Sequence, residues 1–178
     1  MGMNKSFNPN IFKMGYVICY LNNFDWLGNL IVKRQLKEGF TEEQSQITHV
    51  EISGGGEYSV NIAPPLSQCI KITERHKGRY ARLLRYKNND YEKRGRYKVA
   101  YFSATLCNTG YDFFGVIRFV INWVKQRNRL YFCSEGCLES LQKVYPECLS
   151  NLYPSDCLPA HFVASDKFET VWEGIIKE

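Results

Sequence analysis

The segment "RLYFCSEGCLESLQKVYP", residues 129–146, passes from a short apolar run into a stretch with helical spacing, and Cys133 stands at the junction. The spacing predicts a helix over residues 135–145. The leading amides of a helix have no intrahelical partner, and the helix dipole places partial positive charge at that end. A thiol there is biased toward the thiolate. Cys133 is therefore a candidate nucleophile, although a cysteine in an apolar run is more often a small buried hydrophobic residue.

A nucleophilic thiol needs a base within hydrogen-bond reach and a third polar group that orients the base. His76 lies in a basic run and is interpreted as an exposed residue, and His161 lies in a turn-rich tail without a nearby acid. His49 belongs to "ITHVEIS", whose alternation places Glu51 on the same strand face. We therefore predict His49 as the base and Glu51 as its partner. The alternatives are a surface histidine on an edge strand and a solvated carboxylate.

The remaining pattern predicts an α+β domain that spans residues 1–178. Helical spacing is found at residues 25–39, 90–106 and 113–125, in addition to residues 135–145. Strand-like stretches are "GYVICYL", "ITHVEIS", "YSVNI", "CIKI", "YARLLRY" and a last one near "FETVWEG". Glycine-rich "SGGGEYS" marks the turn after the histidine strand.

Composition excludes several classes of protein. Aromatic residues make up 15% and charged residues 23% of the 178 positions, which argues against disorder. The seven cysteines are odd in number and scattered, as in reduced cytosolic proteins. The polar N-terminus lacks the apolar core of a secretory signal. The apolar stretch "YDFFGVIRFVINWV" is too short and too charged for a membrane span. We expect a cytoplasmic protein without a transmembrane segment.

The net charge of +5 is unevenly distributed. Residues 75–98 hold ten of the 23 basic residues and two of the 18 acidic ones, so the rest of the chain has a net charge of −3. Tyr80, Tyr86, Tyr91 and Tyr97 interleave with these cations, a pattern that also occurs in proteins that bind nucleic acids. The simpler interpretation is a solvated surface whose tyrosines supply core contacts, so we expect no nucleic-acid partner.

Four stretches in this order resemble the circularly permuted branch of the papain-like NlpC-type superfamily, the YiiX/YebB-like amidases and peptidases. They are "GYVICYLNNFDWLGNLIVKR", "THVEI", "YDFFGVIRF" followed by "FCSEGC", and "YPSDCLPAHF". The histidine strand precedes the cysteine helix here, as in the permuted branch. One departure is Cys157, which replaces the leucine of the family's closing Pro-x-Asp-Leu segment.

The resemblance implies a permuted papain-like fold, with an antiparallel sheet or small barrel packed against helices. It also implies that Cys133 attacks a carbonyl, that His49 transfers the proton, and that amides near Cys133 and Ser134 bind the oxyanion. Tyr111 matches a tyrosine that lines the site in this superfamily. The parent pattern takes the orienting group from the next strand, so Ser59 and Asn61 compete with Glu51 for that role.

The sequence thus predicts a cysteine hydrolase that cleaves an amide bond in a peptide or peptidoglycan-like substrate. The alternatives are a hydrolase or acyltransferase that acts on lipid or thioester substrates, and a non-catalytic binding module that uses residues 75–98. No cofactor is expected. Cys137 lies one helical turn after Cys133, but no histidine stands at ligand spacing nearby, so we predict no metal site and interpret Cys137 as a packing residue.

Overall fold

The structure is a computed structural model that describes residues 7–112 and 131–177. Its strands are β1 (Val17–Leu21), β2 (Ile47–Gly55), β3 (Tyr58–Asn61), β4 (Gln68–Lys71), β5 (Tyr80–Tyr86) and β6 (Phe168–Ile175). They form one antiparallel sheet in the order β4-β3-β2-β1-β5-β6. The predicted strands and the α+β class are therefore confirmed.

The helices of the described ranges are α1 (Trp26–Lys37), α2 (Glu42–Ser45), α3 (Ile72–Arg75), α4 (Arg96–Thr105), α5 (Cys133–Gln142) and α6 (Ala160–Ala164). A π-helical turn, Tyr91–Gly95, leads into α4, so the segment predicted as one helix has two parts. Short 3-10 turns occupy Pro9–Ile11 and Pro154–Asp156. The helix predicted at residues 113–125 lies outside the described residues.

Local chemistry explains where α1 begins and ends. The side chain of Asp25 accepts a hydrogen bond from the backbone N–H of Gly28 at 2.6 Å, as expected of an N-cap. Gly39 follows the helix with a φ of +90°, a conformation that glycine adopts without steric cost. The helix therefore agrees with its predicted limits to within two residues.

Helix α5 begins two residues earlier than predicted, so Cys133 is its first residue. Glu135 reaches back from the first turn and accepts a hydrogen bond from the backbone N–H of Phe132 at 3.4 Å. A carboxylate at this end also interacts favourably with the helix dipole. The thiol of Cys133 consequently sits beside the unpaired leading amides of the helix.

The alternative of a solvated polar face on an edge strand does not hold for β2. Strand β2 lies between β1 and β3, and α5 packs against it. Glu51 and Ser53 are fully buried, and His49 is only partly exposed. The alternation of side chains is as predicted, but partners from neighbouring strands and from the segment after α3, namely Tyr20, Ser59 and His76, cover the face that carries Glu51.

Antiparallel register explains why polar side chains gather on this face. Residues directly opposite each other in neighbouring strands share a face. Tyr20 pairs with His49 and Ser59 pairs with Ser53, so alternate positions of β1, β2 and β3 project together. The face that carries His49 and Glu51 therefore also carries Tyr20, Ser59 and Asn61.

Candidate active site

A cavity of about 390 Å³ opens where the first turn of α5 meets the sheet. Cys133 and His49 both line it, together with the predicted Ser134 and Tyr111. Part of its wall is apolar and consists of Leu27, Ile31, Ala63, Pro64, Phe132, Leu158 and Pro159. The cavity thus brings residues of the N-terminal half and the C-terminal part of the chain to one place.

Cys133 and His49 interact directly. Their side chains are close enough for the thiol and the imidazole to shift each other's pKa, because a thiolate and an imidazolium attract each other. Burial raises the pKa of the Cys133 thiol, but the charge and hydrogen bond of His49 and the backbone hydrogen bonds at Val50 and Ser134 outweigh it. The net pKa of Cys133 is lower than usual. The thiolate form is therefore favoured in spite of burial.

Burial alone would lower the pKa of His49, because it disfavours the charged ring. The interactions with Cys133 and with the carboxylate of Glu51 outweigh this effect and raise the pKa to about 10. The two shifts favour the thiolate form of Cys133 and the imidazolium form of His49 over the neutral forms. This is the charge state of an activated nucleophile with its proton already on the base.

The two nitrogens of the His49 ring have different partners. Nε2 lies 3.1 Å from Oε1 of Glu51 and 3.0 Å from Oδ1 of Asn61, and both of these atoms are acceptors. Nε2 therefore carries a proton and donates it, which leaves Nδ1 to interact with the Cys133 thiol. Of the three candidates for the orienting group, Glu51 and Asn61 both contact the base and Ser59 does not.

Ser59 instead holds Glu51. Its hydroxyl donates to Oε2 of Glu51 at 2.6 Å, and the hydroxyl of Tyr20 donates to the same oxygen at 3.2 Å. On the other oxygen, His76 Nε2 lies 2.7 Å from Oε1. Burial raises the pKa of Glu51, but the hydrogen bonds and charges of His49 and His76 outweigh this and hold the pKa well below its usual value. Glu51 is therefore a buried, ionised carboxylate with four donors.

His76 is the residue that sequence reasoning placed wrongly. It was interpreted as exposed, but only 4% of its surface is accessible. Helix α3 folds the chain back over the sheet, and His76 stands four residues after the buried Ile72, on the same helical face. That spacing was the signal in the sequence, and the charged neighbours of His76 obscured it.

The other predicted site residues differ in what they can offer. The Ser134 side chain is buried and its hydroxyl donates to the backbone oxygen of Cys157, whereas its backbone amide stabilises the thiolate of Cys133. Tyr111 lines the cavity beside Cys133, and burial raises the pKa of its hydroxyl well above the usual value. Cys137 is buried in the core with a raised thiol pKa, in agreement with a packing role. His161 contacts Phe40 and the backbone of Leu158, away from this cluster.

His49, Glu51 and His76 also have the spacing of metal ligands, since one ligand atom of each lies within 4.8 Å of the others. Two imidazoles and a carboxylate form a common donor set for zinc. Here, however, Arg79 can only donate, and its Nη1 lies 3.4 Å from Nδ1 of His76, so the His76 proton is on Nε2. Both Nε2 atoms therefore donate to Glu51 and present no lone pair to a metal, which favours a hydrogen-bonded cluster.

Part of the basic stretch of residues 75–98 is engaged within the protein, although Tyr97 is exposed. Tyr86 and Tyr91 are buried in the core. Arg82 forms ion pairs with Glu43 and Glu173, and Arg85 pairs with Glu169. These contacts favour the interpretation of a solvated surface over a platform for stacking bases.

Comparison with known proteins leaves the family open. No protein-family model and no curated protein sequence matches the chain. Within the part of the chain that the structure describes, no helix has the length and apolarity needed to cross a membrane. All seven cysteines are free thiols.

Proposed function

We propose that the protein is a cysteine hydrolase that cleaves an amide bond through Cys133 and His49, with a permuted papain-like fold. The observation that carries the proposal is that Cys133, at the start of α5, and His49 line one cavity and interact, with Nε2 of the base held by Glu51 and Asn61. The order of the chain, with the histidine strand before the cysteine helix, supports the permuted topology.

The chemistry follows from the charge states. The Cys133 thiolate attacks the carbonyl carbon, and the carbonyl oxygen becomes an oxyanion that backbone N–H groups at the start of α5 stabilise. His49 gives its Nδ1 proton to the departing amine, and a thioester remains on Cys133. His49 then takes a proton from water, whose oxygen attacks the thioester and releases the carboxylic acid. Throughout, Glu51 stabilises the imidazolium and keeps the ring oriented.

The side chains that line the cavity indicate which classes of substrate it can hold. A peptide or peptidoglycan-like amide is the first candidate because the site has the parts of an acyl-transfer centre. The apolar wall at Leu27, Ile31 and Phe132 also accommodates a hydrocarbon acyl group, which favours lipid or thioester substrates as the second candidate. Single-turnover acylation of Cys133 by matched amide, ester and thioester substrates, followed by mass spectrometry, distinguishes the two.

Thiol reactivity tests the proposal directly. At pH 6, iodoacetamide should alkylate Cys133 faster than the six other cysteines, because an ordinary thiol with a pKa of about 8.5 is almost entirely protonated there. Cys69 is a stringent internal control, since it is exposed whereas Cys133 is 5% exposed. Peptide mapping of the alkylated protein measures each rate.

The variant His49→Ala removes the cation and should slow the alkylation of Cys133 at pH 6 by at least about tenfold, which corresponds to a rise of one unit in the thiol pKa. The rate at Cys69 should not change. If Cys69 reacts faster than Cys133 in the unmodified protein, and the Cys133 rate is indifferent to His49, the hydrolase proposal is wrong and the binding module takes its place.

A further inference from the structure

A continuous chain of polar contacts extends from the nucleophile into the protein. It runs from Cys133 to His49, then to Glu51, to His76 and finally to Arg79. The outer two members come from the segment between β4 and β5, which no part of the proposed reaction uses. Their contacts are direct: His76 Nε2 lies 2.7 Å from Glu51 Oε1, and Arg79 Nη1 lies 3.4 Å from His76 Nδ1.

Arg79 sets the direction of this chain. Its guanidinium has donors only, so Nδ1 of His76 must accept and Nε2 of His76 must donate. A second donor of Arg79, Nη2, bonds to the backbone oxygen of Leu21 at 2.7 Å, and the guanidinium lies 5.1 Å from the centre of the Tyr20 ring. The guanidinium is thus fixed in place, and with it the tautomer of His76.

The surroundings of His76 keep the ring neutral and immobile. Tyr20 stacks on it with ring centres 4.0 Å apart. The groups that face it are Glu51 and His49 of β2, Tyr20 of β1 and Arg79 at the start of β5. Burial, and then the positive charges of His49 and Arg79, lower the pKa of His76 against the opposing effect of Glu51. A neutral ring donates to Glu51 without adding charge to the site.

Glu51 is the point through which His76 acts. It is fully buried, and the groups around it are His49, His76, Ser59 and Tyr20, with Cys137 of α5 close enough for its thiol to be affected by the carboxylate charge. A buried carboxylate that loses a donor is costly to keep ionised, because burial favours its protonated form. A protonated Glu51 would no longer stabilise the His49 imidazolium.

We propose that His76 and Arg79 are positioning residues of the Cys133 site, which hold Glu51 ionised and directed at Nε2 of His49. The inference rests on the proposed function, since it assigns these residues a task in activating the same thiol. Neither residue touches the reacting atoms. Both act through Glu51 and His49.

Two substitutions at one position separate this role from a structural one. His76→Phe keeps a ring that stacks on Tyr20 but removes the N–H donor, whereas His76→Gln keeps an N–H donor for Glu51. The measurement is the rate of Cys133 alkylation by iodoacetamide between pH 4 and pH 9, with the folded fraction determined by circular dichroism. The alkylation rate falls as the pH is lowered, and the pH at which it reaches half of its plateau value, the midpoint, gives the pKa of the Cys133 thiol in the folded protein.

We expect His76→Phe to move this midpoint upward by about one unit, a tenfold loss of rate at pH 6, and His76→Gln to leave it near that of the unmodified protein. A purely structural role would lower the folded fraction and leave the midpoint in place. An unshifted midpoint in His76→Phe, with Cys133 still selectively reactive in the unmodified protein, overturns the inference but not the hydrolase. If Cys133 of the unmodified protein is not alkylated faster than the other cysteines, the proposal of a hydrolase is itself wrong.

A spectroscopic test remains decisive if His76→Phe does not fold. Long-range ¹H–¹⁵N spectra of the histidine-labelled protein report which ring nitrogen is protonated. We expect the Nε2–H form for His76, and loss of this strict preference in Arg79→Met. A His76 ring protonated on Nδ1 in the unmodified protein would contradict the proposed chain of donors.

Discussion

Glu51 decides the electrostatics of the site at the scale of single residues. Its pKa lies below the ordinary value of about 4.3, so the ionised carboxylate stabilises the fold above that pH. The stabilisation is lost as the pH falls through the lowered pKa of the folded state. His49 behaves in the opposite sense. The pKa of His49 is raised to about 10 in the folded protein. Its contribution to the stability of the fold is therefore complete below about pH 6.5, and it is lost as the pH rises through the pKa of the folded state.

Glu51→Gln should lower the free energy of unfolding by about 3 kcal/mol at pH 7, because the amide nitrogen of Gln would face donors that the carboxylate now accepts from. Urea denaturation at pH 7 and at pH 3 measures the effect. The difference from the unmodified protein should be smaller at pH 3, where the carboxylate contribution is partly lost. Glu57→Gln is the control, since Glu57 is 40% exposed and pairs with Lys71 on the surface. Equal losses for both variants would contradict the assignment of Glu51.

Among the helices and strands, α5 and its packing matter most for the site, because α5 carries Cys133. The helix must approach closely to bring Cys133 to His49, and Gly136 permits this approach. A Cβ at this position would stand 2.2 Å from Cδ1 of Ile62 and 3.1 Å from Cδ1 of Leu106. Ile62 is itself buried at 1% exposure, so it has little room to move away.

Gly136→Ala should therefore destabilise the protein by about 2 kcal/mol through overpacking, although alanine is intrinsically the better helix former. It should also slow the alkylation of Cys133, because α5 must shift away from β2. Ile62→Val removes the Cδ1 atom that stands closest, so the double variant should recover part of both losses. Urea denaturation of the four proteins completes a double-mutant cycle. If the changes in the free energy of unfolding caused by the two single substitutions simply add in the double variant, the two positions are not in steric conflict.

The cationic stretch from residue 75 to residue 98 is a property of the whole molecule, because its parts are distributed over β5, α4 and the segments around them. The fold directs Tyr86 and Tyr91 inward and pairs Arg82 and Arg85 with acids from distant parts of the chain. Such engagement removes part of the aromatic stacking surface and part of the free positive charge of the stretch. The remaining exposed cations include Lys93 and Arg94.

We accordingly expect no binding of a generic oligonucleotide at physiological ionic strength, as measured by fluorescence anisotropy. Binding through phosphates would weaken steeply with salt, because each neutralised phosphate releases counterions. The double variant Lys93→Gln, Arg94→Gln tests the stretch, and Lys33→Gln, Lys37→Gln on α1 is a control with the same loss of charge. Micromolar, salt-sensitive binding that only the first variant abolishes would favour the binding module.

Local pattern determined much of this architecture. Alternating and helical periodicity located the strands and the three longer helices of the described ranges, because those periods follow from backbone geometry alone. The short helices α2, α3 and α6 were not predicted. Asp25 and Gly39 marked the limits of α1 for equally local reasons. The pairing of His49 with Glu51 on one strand face was also contained in the sequence, since residues two apart on a strand project to the same side.

Only the tertiary structure decided what that face touches. Glu51 is buried because Tyr20, Ser59 and His76 reach it from β1, from β3 and from the segment after α3. Hydropathy cannot reveal these contacts, because a polar residue has the same sequence pattern whether water or a buried partner satisfies it. The sequence by itself therefore determined the strands, the longer helices and the candidate thiol. Tertiary packing turned a polar strand face into a buried charge network, since desolvation and hydrogen bonding arise only when distant segments meet.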